Sequence, residues 1–189
     1  GSPSDTDAVA AVRAALAPRE PQIRAAIARL EALRDMLPVR HRVDVLCHTD
    51  IWGSNLLRSG DGTLHLLDWN GALIGPPEHD LFMFAGTWFF PAQRFGWFLD
   101  HYEAALRTLR GQPVARPDPA ILGFYLYRRN LEDLAAWAGS VLDDEMEALG
   151  PATTLRVIDG LLAETPQIEG RIEYIRALLA DRTGTEPEA

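Results

Sequence analysis

The sequence predicts an α+β, mostly helical fold that carries a small β-hairpin. Three observations predict it. Apolar residues recur at spacings of three and four along most of the 189-residue chain. One stretch after position 43 switches to alternation, and a Ser59-Gly60-Asp61-Gly62 turn divides that stretch. These are the periods of helix and of strand, and the composition of a hairpin turn.

The elements follow in order. Ser4 or Asp5 can cap a first helix through Val9, Val12 and Leu16, which Pro18 interrupts. Ile23, Ile27, Leu30, Leu33 and Leu37 form one face of a second helix, which Pro38 ends. Val43, Val45 and Cys47 alternate with Asp44, Leu46 and His48, a short strand running into a loop. Asn55–Arg58 and Thr63–Leu67 are the arms of the hairpin. Beyond Pro76 the pattern is helical: Glu78–Phe90, Gln93–Arg110 stopping at Gly111, and a helix from Pro119 to about Leu142 with Asp118 as its cap. Ala152–Glu164 and Gln167–Ala180 complete the set. The expected organisation is N-terminal helices over 1–42, a main body over 43–180 and a flexible tail over 181–189. Gly1-Ser2 reads as an expression scar.

Composition excludes several functions. Acidic residues outnumber basic ones 27 to 18, for a net charge of -9, which disfavours nucleic acid and suits a cationic small molecule. No apolar run is long enough for a membrane span. Cys47 is the single cysteine, which rules out an internal disulfide and fits a reducing cytoplasm. All basic residues are Arg, so neither an amine nucleophile nor a phosphate-gripping Lys can come from this chain. A GC-rich coding sequence is the plain explanation of that bias.

The chemistry lies in Cys47-His48-Thr49-Asp50-Ile51-Trp52-Gly53-Ser54-Asn55, with Asp68 closing an apolar strand thirteen residues after Asn55. Phosphoryl transfer from a nucleotide asks for this set. One Asp orients the acceptor hydroxyl and takes its proton, while Asn and Asp oxygens hold magnesium against the phosphates. A loop between strands supplies the rigidity.

These residues resemble the C-terminal lobe of the aminoglycoside phosphotransferase family, which has the protein-kinase-like fold. The likeness is nearest to the spectinomycin-type enzymes, and it rests also on Pro77–Phe84 and Tyr125–Leu134. The resemblance implies that Asp50 is the catalytic base, that Asn55 and Asp68 bind the metal and through it the nucleotide, and that His48 supports the loop. It implies Mg2+ and ATP, or GTP, as cofactor and phosphoryl donor. It also implies that an N-terminal lobe is missing from this chain. The isolated chain is then inactive or weakly active, and its exposed surface receives that lobe or another copy in a homodimer.

Other residues have two readings. Asp80 either contacts substrate or anchors the catalytic loop through buried hydrogen bonds. Glu132 and Asp133 either bind substrate amines or form a solvated helix face. Trp52 and Trp88 either wall the acceptor pocket or belong to the core, as do Trp69, Trp97 and Trp137. A non-catalytic ligand-binding or assembly lobe is the alternative function. A metallohydrolase using His48, Asp50, Asp68 and His79 is a third, and it leaves Asn55 unexplained.

Overall fold

The computed structural model describes residues 5–37, 44–87, 90–110, 116–140 and 150–182. Its elements are α1 (Asp5–Leu16), α2 (Glu20–Met36), β1 (Val45–Cys47), β2 (Leu56–Arg58), β3 (Leu64–Leu66), β4 (Leu73–Gly75), α3 (Glu78–Leu81), α4 (Phe95–Arg110), α5 (Pro119–Gly139), α6 (Pro151–Glu164) and α7 (Ile168–Asp181). The expected mostly helical α+β class is the one found. Among the described residues, no helix is long and apolar enough to cross a membrane.

Most boundaries follow local chemistry. Pro18 replaces the α-helix with a 3-10 turn at Ala17–Arg19 before α2 begins. The Asp118 carboxylate accepts the Ala120 N–H at 2.7 Å, the N-cap bond expected ahead of Pro119. In the hairpin, Gly62 takes φ +88°, and Asp61 accepts the Ser59 hydroxyl and the Thr63 N–H. Those bonds hold the exposed Asp61 carboxyl down at about 2.

Two sequence expectations fail, both for short-range reasons. The aromatic helix over Glu78–Phe90 is a four-residue α3 followed by a 3-10 turn at Phe82–Phe84. Gly86 then takes φ +108°, a conformation that breaks any helix, and a Cβ there would sit 3.0 Å from the Ala92 methyl. The sequence reading also omits β4. Leu73–Gly75 pairs antiparallel with β1 across the whole loop region, Leu46 facing Ile74. The hairpin is a separate sheet in which Leu57 faces His65.

The chain divides into two compact units. The first combines residues 1–35 with 127–169. Val12, Leu134, Ile158 and Leu162 form its buried centre, with Trp137 packed against them. Polar groups close its interior: Gln22 donates to the Leu162 carbonyl at 2.6 Å, and Thr165 donates to Asn130 at 2.9 Å. Arg29 pairs with Glu169, and that bond raises the guanidinium further above its ordinary value. An open apolar groove of about 690 Å³ runs past Val12, Leu16, Ile23, Ile27 and Ala138, and no residue selected for chemistry lines it.

The second unit combines 36–126 with 170–189 and contains both small sheets. Phe95, Leu99, Leu122, Ile172 and Ile175 are fully or almost fully buried in it. Gly123 lets α5 approach α7 closely, since a Cβ there would lie 2.7 Å from an Ile172 methyl. Arg182, at the end of α7, bonds to Asp100 at 2.7 Å and Glu103 at 3.3 Å on α4. This unit also carries the loop from Cys47 to Asn55.

Candidate active site

The loop after β1 is held by its main chain. The Asp80 carboxylate accepts the His48 N–H at 2.9 Å and the Thr49 N–H at 2.6 Å. Neighbouring Glu78, buried in the same short helix, accepts the Asp118 N–H at 2.8 Å. One helical turn therefore fastens both the loop and the start of α5. Thr49 lies at φ +74°, which costs a β-branched residue on the order of 1–3 kcal/mol and persists only where neighbours enforce it. The two bonds to Asp80 are the enforcement.

His48 is 1% exposed and bridges the two halves of the site. Its Nε2 faces the Leu67 carbonyl at 2.7 Å, so Nε2 carries the proton and donates. Its Nδ1 accepts the Asp50 N–H at 3.3 Å. Both ring nitrogens are thus used in the neutral tautomer, and Trp69 packs edge-on at 4.8 Å. This removes His48 as a metal ligand. Among the described residues, no three His, Cys, Asp or Glu side chains gather to hold a metal ion. The metallohydrolase expectation is accordingly corrected.

Asn55 is 9% exposed and sits at the end of a 3-10 turn, Gly53–Asn55. Its Nδ2 donates at 2.9 Å to both the carbonyl and Oδ2 of Asp50. Two oxygens at that end of the amide fix it as the nitrogen end. The Oδ1 end is thereby turned away from Asp50, with the Ser54 hydroxyl at 3.4 Å. The Asn55 carbonyl also accepts the Leu67 N–H at 2.8 Å. The Leu67 peptide is therefore gripped on both sides, by Asn55 and by His48, and Asp68 follows it directly. Asp68 is exposed and lies at φ 59° and ψ 68°, a left-handed geometry that Asp tolerates better than most residues.

The structure brings His48, Asp50, Asn55, Asp80 and the Asp68 segment into one network. Trp52 joins it through its main chain, donating to the Asp50 carbonyl at 3.1 Å. Asp80 has both carboxylate oxygens on loop N–H groups. Glu132 and Asp133 lie in the other unit, on α5, each bonded to an Arg four residues earlier at 2.7 and 2.9 Å. Trp88 lies outside the described residues. Trp97 is exposed beside His101, and Trp137 belongs to the first unit's core. Sequence reasoning missed Thr49 and Gly71. The only available signal was a glycine three residues after Asp68. Cys47 is fully buried beside the Gly75 and Pro76 carbonyls, and burial pushes its thiol up to about 11.

A main-chain-bound His, an Asp held by an Asn, and a second Asp two residues beyond β3 are thus brought together as the loop motif anticipates. The chain belongs to the phosphotransferase enzyme family, whose sequence model matches residues 4–125. Among solved structures it is similar to spectinomycin phosphotransferase APH(9)-Ia in complex with ADP and spectinomycin, with a TM-score of 0.68 and 20% identity over 89% of this chain. It is also similar to the AMP-bound complex of that enzyme, with a TM-score of 0.66 and 19% identity over 87% of this chain. The kinase-like fold expected from the loop motif is thus the fold found. The chain spans about half the length of these structures, 51% and 50%.

Proposed function

We propose that this chain is the acceptor-holding, catalytic half of a nucleotide-dependent phosphotransferase. Its acceptor is a hydroxyl of an aminoglycoside, an aminocyclitol or a related small cationic molecule. The observation that carries the reading is the pair of bonds from Asn55 to Asp50. They aim a carboxylate while turning an amide oxygen outward beside the segment that bears Asp68. Asp50 is the base that receives the acceptor's hydroxyl proton, and His48 keeps its loop in place.

The donor set fits Mg2+. Asn55 Oδ1 and the Asp68 carboxylate are hard oxygen ligands, and magnesium is commonly held by one or two such side chains plus phosphates. When bound, it would neutralise charge on the transferring phosphate. Such a site needs no closed protein cage. For the nucleotide, Asn55 and Asp68 offer metal-side contacts, and the chain has no Lys. The remaining contacts would come, on this reading, from the half of the related fold that this chain does not cover. The net charge of -9 favours a polycationic acceptor. The solved relatives carry ADP and spectinomycin, or AMP.

Exposed surface supports the missing lobe. Of thirteen exposed large hydrophobic residues among those described, eight lie between Leu46 and Ile74, around the loop and its sheets. That concentration also fits the second reading, an assembly lobe that pairs with another copy. Two experiments separate them. Phosphorus NMR of ATP with spectinomycin, using the full open reading frame, should show transfer, and Asp50→Asn should lower turnover about 10²–10⁴-fold with acceptor affinity retained. Unchanged turnover in that variant sinks the base assignment. Light scattering of this chain reports the dimer.

A further inference from the structure

We propose that Thr49 is a positioning residue, whose hydroxyl ties the base-bearing loop to the far end of the turn that carries Asp68. The functional sense of this tie rests on the phosphotransferase reading above. Its geometry does not.

Thr49 is an unexpected residue for its backbone. At φ +74° glycine would be unstrained, whereas a β-branched residue is disfavoured. The side chain does something glycine could not do. Its Oγ1 donates to the Gly71 carbonyl at 3.2 Å. Gly71 is shaped for that contact, because a Cβ at position 71 would come within 2.8 Å of the same Oγ1. A hydroxyl at 49 and a bare hydrogen at 71 are thus matched across twenty-two residues of chain.

The place of the tie gives it meaning. Gly71 ends the turn Trp69–Gly71, which the Ala72 N–H closes on the Trp69 carbonyl at 3.0 Å. His48 grips the near side of this segment at the Leu67 carbonyl, at 2.7 Å. Thr49 grips its far side. Asp68 lies between the two attachments, itself at φ +59°. His48 at Leu67 and the pairing of Leu73 with Cys47 hold the two ends of the segment, and the Thr49 tie fixes the turn between them, and with it the direction of the Asp68 carboxylate relative to Asp50 and Asn55. Asp80 anchors the arrangement by holding the Thr49 N–H at 2.6 Å.

The test uses Thr49→Val, which keeps the branch and removes the donor, Thr49→Ser, which keeps the donor, and Thr49→Gly, which relaxes the backbone but removes the donor. Amide exchange at residues 69–72 is followed by NMR. Valine and glycine should each speed the Ala72 amide about tenfold, the loss expected for one hydrogen bond, and serine should restore protection. Gly71→Ala should match valine, and Thr49→Gly/Gly71→Ala should be no worse than Thr49→Gly alone, because the clashing hydroxyl is gone. Protection within about twofold of the parent in the valine or glycine variant overturns the proposal.

Mn2+ affinity in the presence of ADP, read by electron paramagnetic resonance on the full open reading frame, is the second measurement. It should fall in the valine variant and return in the serine variant, a pattern that general destabilisation would not give. Equal Mn2+ affinity in parent and valine variant overturns the positioning role. If the parent binds no Mn2+, the phosphotransferase reading fails, and the exchange pattern still decides whether the tie exists.

Discussion

The side-chain amide of Asn55 meets Asp50 twice, at the main-chain carbonyl and at the carboxylate, each at 2.9 Å. A donor and a candidate metal ligand therefore occupy opposite ends of one amide. Asn55→Ala should cost about 1–3 kcal/mol, because two part-buried bonds are lost and one acceptor is a carboxylate. Asn55→Asp should be worse at neutral pH, where two carboxylates would face each other, and should recover on acidification. Urea titrations at pH 7 and pH 5 measure both.

Asp80 supports two main-chain N–H groups and the strained Thr49. Asp80→Ala should remove at least ~2 kcal/mol, since both donors are left without it. For a chain of this size that lowers the thermal midpoint by roughly 4 °C or more. An unshifted midpoint would show that the carboxylate is dispensable.

The first unit can be tested apart from the site. Ile158 is fully buried between Val12, Leu134 and Leu162. Ile158→Ala should cost roughly 2–5 kcal/mol through lost burial and the cavity left behind. Ile74→Ser, at a position 68% exposed, should change stability by no more than about 0.5 kcal/mol while lowering binding of a hydrophobic dye. Calorimetry and dye fluorescence make the comparison.

Cys47 gives a pH dependence with a definite sign. Its folded thiol is raised to about 11 from an ordinary 9.0, chiefly by desolvation and then by Asp80. The unfolded thiol ionises first, so this contribution to stability is complete below pH 9 and declines as pH rises toward 11. A thiol reagent at pH 8 should label the native chain slowly and the urea-unfolded chain rapidly. Equal rates would contradict the buried thiol.

The candidate loop was legible because its residues are contiguous. His48, Asp50 and Asn55 lie within eight residues, and Asp68 closes the next hairpin. The helices were legible from periodicity, and Asp118 from the proline after it. The second sheet was not, because β4 is three residues long and its antiparallel partner begins 28 residues earlier, with Val45 opposite Gly75. Local pattern carries no record of such pairing. Nor could it show that Val12 meets Ile158, which fixes the membership of the first unit. Thr49 was hidden for the opposite reason: its intrinsic preference points away from the conformation it holds, and the reasons for that conformation lie at Asp80 and Gly71.

The grips that Asp80 and His48 place on the loop and on Leu67 are all to main-chain atoms. Such a frame is blind to the side chains it carries. The side chains from Ile51 to Ser54 could be exchanged while the main chain of Asp50 stayed where it is. A loop framed this way could vary the side chains it presents by single substitutions without first rebuilding its frame.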